Sequence, residues 1–216
     1  MQILKLFRDV TKVVSATGVK VTSKSGRQLS ARKVRKAEKK LGHSIPEQLL
    51  ELYSQIGDGF WFHWSLDEKT GCEDGPFGRV DFPSIKELTA LNLGLRSFST
   101  EWDSSYKYPH VDDSELALKT AARMREWLAF HEEGNGDNFS LDMSGDRCPV
   151  VFNKHDWLDG GSGFNGAVLG ENLSCFMENW ASVCFQVPLS LWWESPVVDG
   201  VLDWSSDQFS GEYRLL

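Results

Sequence analysis

The sequence predicts a single α+β body organised around an antiparallel meander at residues 128–152. Leu128 and Phe130, then Phe139, Leu141 and Met143, alternate with polar residues, the period-2 pattern of strands with one buried face. Between them Gly134-Asn135-Gly136-Asp137 gathers residues that accept positive φ or bond their own backbone, so the chain reverses there. Ser144-Gly145-Asp146-Arg147 reads as a second turn, leading to a third strand at Cys148–Phe152. Helical spacing on both sides of the meander supplies the α component. The expected core unites Phe130, Phe139, Leu141, Val151 and Trp180.

From the N-terminus, Ile3, Leu6 or Phe7, Val10, and Val13 or Val14 recur at helical spacing until Gly18. Val19–Thr22 reads as a short strand with a turn at Ser23-Lys24-Ser25-Gly26, or else as a flexible basic connection. Ser30 caps a helix whose apolar face is Val34, Ala37 and Leu41, and Gly42 ends it after lysines that suit the negative end of the helix dipole. Pro46 opens the next helix, with Leu49, Leu50, Leu52, Tyr53 and Ile56 facing inward, and Gly57-Asp58-Gly59 stops it.

Phe60-Trp61-Phe62-His63-Trp64 supports two readings, a strand buried on both faces or an aromatic platform for a ligand. Asp67–Gly78 is an acidic glycine-rich loop, Ser84–Leu93 a short helix capped by Ser84, and residues 94–113 an irregular excursion. Ser114 caps a further helix with Ala117, Ala121, Met124 and Leu128 on one face. After a glycine loop at Asp159–Gly163, Asn172 or Ser174 opens a closing helix carrying Leu173, Phe176, Met177 and Trp180, which Val187-Pro188 ends. Trp192, Trp193, Trp204, Phe209 and Tyr213 make the last segment too aromatic for a disordered tail. The chain thus divides into a basic N-terminal extension (1–29), a main domain (30–187) and an aromatic C-terminal extension packed on the body (188–216).

Charge is unevenly distributed. Residues 1–40 hold 12 Lys and Arg against two acids, whereas the remaining residues hold 11 against 29, giving local balances of +10 and −18. An acidic surface attracts basic partners and repels nucleic acid; a basic segment contacts phosphate or folds back on the body. No apolar run approaches the roughly 20 residues that span a bilayer. The start of the chain is charged too soon for a secretory signal, so the expected location is cytoplasmic. Cys72, Cys148, Cys175 and Cys184 show no paired spacing, which points to reduced thiols.

Glu132, Glu133, Asp137, Asp142 and Asp146 are the carboxylates that a Mg²⁺ site or acid–base chemistry would draw on. Adjacent strand residues point to opposite faces, however, and Asp137 is most simply a turn residue. His43, His63, His110, His131 and His155 are dispersed. Gly161-Ser162-Gly163-Phe164-Asn165-Gly166 satisfies the dinucleotide fingerprint literally, but Ala167-Val168-Leu169-Gly170 stands where a helix should open, so the run reads as a loop. No catalytic residue, metal or cofactor is therefore assigned.

Val34-x-x-Ala37-Glu38-x-x-Leu41-Gly42-x-x-Ile45-Pro46-x-x-Leu49-Leu50-x-x-Tyr53-x-x-Ile56-Gly57 resembles the opening helices of the SUKH superfamily, which includes yeast cell-wall synthesis regulators and many bacterial immunity proteins. Phe130–Asp142 is similar to its central hairpin, and Leu173-x-x-Phe176-Met177-x-x-Trp180 to its closing helix. The resemblance implies a mostly antiparallel sheet flanked by helices and a role in binding protein partners, often neutralising toxins. On that basis the expected function is non-enzymatic binding of a basic, nuclease-type toxin domain. The contact residues would be Asp58, Phe60, Trp61, Trp64, Glu132, Glu133 and Asp137. Aromatic groups supply the desolvated anchor and carboxylates meet cations that a nuclease offers to phosphate. The alternatives are a regulatory scaffold of the cell-wall-regulator kind and a small metal-dependent hydrolase.

Overall fold

The computed structural model describes residues 2–66, 76–101, 122–133, 136–154, 165–187, 196–209, 211 and 213–215. The acidic loop at 67–75, the excursion from 102 onward, the helix expected from Ser114 up to residue 121, the turn residues Gly134 and Asn135, the loop at 155–164, and Trp192 and Trp193 lie outside the described residues.

Helix α1 (Ile3–Ala16) buries Ile3, Phe7, Val10 and Val14, one stripe at helical spacing. Strand β1 (Val21–Arg27) then runs straight through the stretch where a turn is expected at Ser23–Gly26. Gly26 serves close backbone approach instead of a turn, because a Cβ there would lie 2.0 Å from the Asp58 carbonyl oxygen on strand β2 (Asp58–Ser65). Residues 3–27, set apart in the sequence as a basic extension, contribute a helix and a strand to the body.

Helix α2 (Ala31–Leu41) starts where Ser30 accepts from the Lys33 N–H and ends at Gly42, whose φ of 78° is the left-handed conformation that closes helices. Helix α3 (Glu47–Ile56) follows Pro46 and buries Leu49, Leu52, Tyr53 and Ile56; Leu50 is half-buried. Strand β3 (Phe77–Phe82) is unanticipated by the sequence reading, although Gly78-Arg79-Val80-Asp81-Phe82 alternates small or apolar with charged residues. It completes a three-stranded antiparallel sheet in the order β1-β2-β3.

Helix α4 (Ile85–Glu101) outruns the expected end at Leu93. Strands β4 (Trp127–Glu132), β5 (Asn138–Asp142) and β6 (Val150–Asn153) form the expected antiparallel meander. Leu128 belongs to β4 and not to a preceding helix. The second sheet continues with β7 (Val168–Gly170), β8 (Val197–Val198) and β9 (Val201–Leu202) in the order β4-β5-β6-β7-β9-β8, antiparallel except for β7 with β9. Helix α5 (Leu173–Ser182) opens where Asn172 accepts from the Cys175 N–H, and buries Leu173, Phe176, Met177 and Trp180. Sheets and helices together form the α+β architecture.

A single core joins both sheets. Phe7 of α1 packs within about 5 Å of the rings of Phe60, Phe62 and Phe185, and Phe139 meets Phe176 and Trp180 edge to face. The meander is buried on both faces, not on one. Val151 correspondingly moves out of the expected cluster: the register pairs Phe139 with Phe152 and Leu141 with Val150, which sends Val151 to the opposite face beside Ser140. The C-terminal segment docks on the body through Leu202, Phe209 and Tyr213, all buried, with the Tyr213 carbonyl accepting from Gln186 Nε2.

The two sheets meet at a buried imidazole. The β4–β5 register shifts between Ala129 and His131, a bulge that leaves Phe130 unpaired and sets His131 opposite Phe139, with the two rings stacked at 4.6 Å. His131 Nε2 donates to Glu133 Oε1 at 3.0 Å, and Nδ1 engages the Asp81 backbone of β3, 3.2 Å from its N–H and 2.9 Å from its carbonyl oxygen; with the ring neutral, Nδ1 accepts from the N–H. Two residues back, Asn92 of α4 closes the free edge of β4, accepting from the Ala129 N–H and donating to the Ala129 carbonyl, both at 2.8 Å.

Two stability measurements test this packing. Phe139→Ala is expected to lower the unfolding free energy by about 3–5 kcal/mol in urea titration, since the removed ring leaves a cavity beside the rings of His131, Phe152, Phe176 and Trp180. His131→Leu strands the buried Glu133 carboxylate and should cost about 3–5 kcal/mol. Replacing both His131 and Glu133 by leucine should recover part of that loss, whereas strict additivity of the two single changes would show that they are not coupled.

Candidate functional site

Strand β2 resolves the aromatic run by alternation. Phe60, Phe62 and Trp64 point into the core, and Trp64 donates from Nε1 to the Cys184 carbonyl at 2.8 Å. Trp61 and His63 point outward, with rings stacked at 5.7 Å and 17°, and Trp61 is 37% exposed. The aromatic run is thus buried on one face and displayed on the other.

Neighbouring strands decide what surrounds the indole. The register places Lys24 of β1 and Asp81 of β3 directly beside Trp61, and Thr22 and Arg79 beside His63. Arg79 and Asp81 form an ion pair at 3.2 Å. A hollow of 290 Å³ lies at this end of the sheet, lined by Trp61, Lys24, Asp81, Gly59, Ser84 and Glu87. Asp81 and Glu87 are functional candidates that the sequence reading misses. Alternation across 78–82 marks the first; the second is the acidic end of the capping box Ser84-Ile85-Lys86-Glu87, a recognisable signal.

Asp58 is a scaffold residue. Its side chain is only 5% exposed, Oδ1 accepts from the Ile85 N–H at 2.7 Å, and Oδ2 pairs with Lys33 Nζ at 2.5 Å. It closes the N-terminus of α4 together with Ser84, whose N–H and hydroxyl both donate to Glu87 Oε2. Tyr53 lies buried below, donating to the Pro83 carbonyl at 2.6 Å; burial pushes its hydroxyl pKa well up, and the charges of Asp58 and Glu87 add to the shift.

At the meander, Glu132 is exposed, whereas Glu133 is buried on His131 and Asp137 is buried with its carbonyl accepting from the Glu133 N–H at 2.7 Å. Glu132 lines a separate hollow of 380 Å³ with Leu91, Leu95, Met124 and Asn138. Of the seven expected contact residues, Trp61 and Glu132 face solvent, in different hollows. Phe60, Trp64, Asp58, Glu133 and Asp137 are held inside by strand alternation, helix capping and the bulge.

Among the described residues no group of three or more His, Cys, Asp or Glu side chains stands where it could hold a metal ion. Asp142 Oδ1 accepts from the Ser144 N–H at 3.0 Å, an Asx turn. Burial pushes the Cys184 thiol up to about 12, which keeps it protonated and unreactive at neutral pH. The arrangement around Trp61 suits recognition: a partly exposed indole supplies apolar area with little conformational freedom to lose, and flanking charges fix orientation.

The capping box makes a pH-dependent prediction. Hydrogen bonds from the Ser84 hydroxyl and N–H hold Glu87 below the ordinary glutamate range. That contribution to stability is complete above the ordinary value and is lost as pH falls through the depressed one. Glu87→Gln should therefore lower the urea midpoint at neutral pH, with the difference from wild type shrinking in acid. A difference independent of pH would show that the Glu87 charge does not support the cap.

No curated protein matches the chain. The model of the SMI1 / KNR4 family (SUKH-1) matches residues 28–179, more than half of the sequence, from just before α2 almost to the end of α5. Within that span lie the capped helices α2 and α3, the outward-facing Trp61, the His131 bulge and most of the closing helix. The chain is a member of the SMI1 / KNR4 family, SUKH-1.

Proposed function

We propose that this protein is a non-enzymatic binding domain of the immunity kind, which neutralises a basic, nuclease-type toxin by covering its phosphate-binding surface. The observation that carries the reading is Trp61, an indole exposed on a sheet face beside the carboxylates of Asp81 and Glu87, on a body whose residues 41–216 have a charge balance of −18. A nuclease must present Lys and Arg to phosphate, so a carboxylate-bordered aromatic anchor meets its charge and its apolar area together. Membership in a family of protein-binding domains supports a protein partner over a small-molecule substrate. Among the described residues no helix is long and apolar enough to cross a membrane. The same family includes cell-wall regulators, and this membership favours a regulatory scaffold as the second reading; a partner without toxic activity would select it.

Burial changes which residues test the idea. Asp58 and Glu133 hold the fold, so charge reversal there would confound binding with stability. Trp61→Ala and Glu132→Lys are the surface substitutions of choice. Co-purification from native cells followed by mass spectrometry should recover a basic protein whose nuclease activity the purified chain inhibits. Trp61→Ala should weaken that complex by roughly 30-fold or more. Raising ionic strength should slow association more than it speeds dissociation. An acidic partner at this face, or an association rate insensitive to salt, would overturn the mechanism.

A further inference from the structure

Arg27 closes β1, Lys33, Lys36 and Lys40 follow along α2, and Lys86 stands in the first turn of α4. Together they rim a cleft of 470 Å³ floored by Ala37, Ile85 and Thr89. Steps of three and then four residues put the α2 lysines on one helix face, whereas Arg32, Arg35 and Lys39 do not line the cleft. Lys33 is committed to Asp58. Arg27, Lys36 and Lys40 have no ion-pair partner among the described residues. Glu38, the single acid of α2, accepts from the Ile45 N–H instead. Like charges at these helical spacings repel one another, and nothing within α2 neutralises them.

We infer that this cleft binds a carboxylate-rich peptide segment carrying an apolar side chain, presented by a protein partner. The inference concerns a second surface and does not depend on the reading of the Trp61 face. The rim supplies point charges at about one helical turn from each other, a spacing that alternate carboxylates of an extended peptide match. Ala37 and Ile85 between them offer an apolar floor that a purely ionic ligand would not use.

Other anions fit less well. Single-stranded nucleic acid is held by stacking as well as by charge, and among the described residues no aromatic side chain lines the cleft. Phosphate groups favour arginine forks and free helix N-termini, whereas this rim has one arginine and the N-terminus of α4 is already closed by Ser84 and Asp58.

The test uses the full chain and a fluorescein-labelled peptide of glutamates and aspartates around a central leucine, with binding read by fluorescence anisotropy at low ionic strength. Lys36→Glu combined with Lys40→Glu should weaken binding roughly tenfold or more. Arg32→Glu combined with Lys39→Glu makes the same change in net charge outside the cleft, and should stay within about twofold of wild type. All four positions are exposed, and circular dichroism checks that each variant is folded. Replacing the peptide's leucine by serine should also weaken binding. Equal losses in the two charge variants would overturn the proposal in favour of a diffuse basic surface. Displacement of the peptide by an oligothymidylate at lower concentration than by unlabelled peptide would overturn it in favour of nucleic acid, and absence of peptide binding would overturn it outright.

Discussion

Among the described residues no β-ladder connects the two sheets; beyond their common core, a side chain ties the edge of one to the edge of the other. His131 satisfies an N–H of β3 from one ring nitrogen and the Glu133 carboxylate from the other, while its ring stacks on Phe139 and meets Trp180 at a steep angle. A buried imidazole with both nitrogens engaged is tolerable in a core; one with either nitrogen orphaned is costly. The bulge at Phe130, the position of β3 and the burial of Glu133 therefore depend on one another. The remaining free edge of β3 is closed by residues after α5: Arg79 N–H donates to the Phe185 carbonyl and Val187 N–H to that of Phe77. Cys184 and Phe185 adopt positive φ to bring the chain there, a strained conformation held in place by the Trp64 and Trp180 indole hydrogen bonds.

The outward-facing side chains of the first sheet are exposed or half-buried, among them Trp61, the only outward-pointing tryptophan among the described residues of β2. The same short region separates two hollows of different charge make-up. Asp58 and Ser84 form a wall shared by the carboxylate-bordered hollow at Trp61 and the lysine-rimmed cleft between α2 and α4. Asp58 can do so because its own charge is balanced by Lys33 and by the first N–H of α4. Both surfaces draw on both parts of the chain, since Lys24 of the basic N-terminal stretch lines the Trp61 hollow and Lys86 of the acidic remainder rims the cleft.

Helix boundaries were legible because their signals are local. Ser30, Gly42, Pro46, Gly57 and Asn172 each act within a few residues through a cap or a permitted backbone angle, and each marks a helix end in the structure. The apolar stripes of α1, α3 and α5 and the meander itself are equally local, which is also why the family resemblance could be read from spacing. Alternation in Phe60–Trp64 contained the answer about Trp61, but composition obscured it, since every second residue in a wholly aromatic run looks equally fit for a core.

The site was less legible, for a physical reason. Whether a carboxylate is a surface charge or an internal cap depends on which backbone N–H or cation the fold brings to it, and those groups lie far away in sequence: Asp58 meets Lys33 and Ile85, and Glu133 acts through His131 on Asp81. Strand register is likewise a tertiary decision, because a single extra residue at Phe130 turns His131 from the polar side into the core. By itself the sequence determined the helices, the meander, the uneven charge and the family. Only the tertiary structure decided which side chains of that pattern reach solvent, because pairing with distant strands selects which face is covered and distant hydrogen-bonding groups decide which charges are already spent.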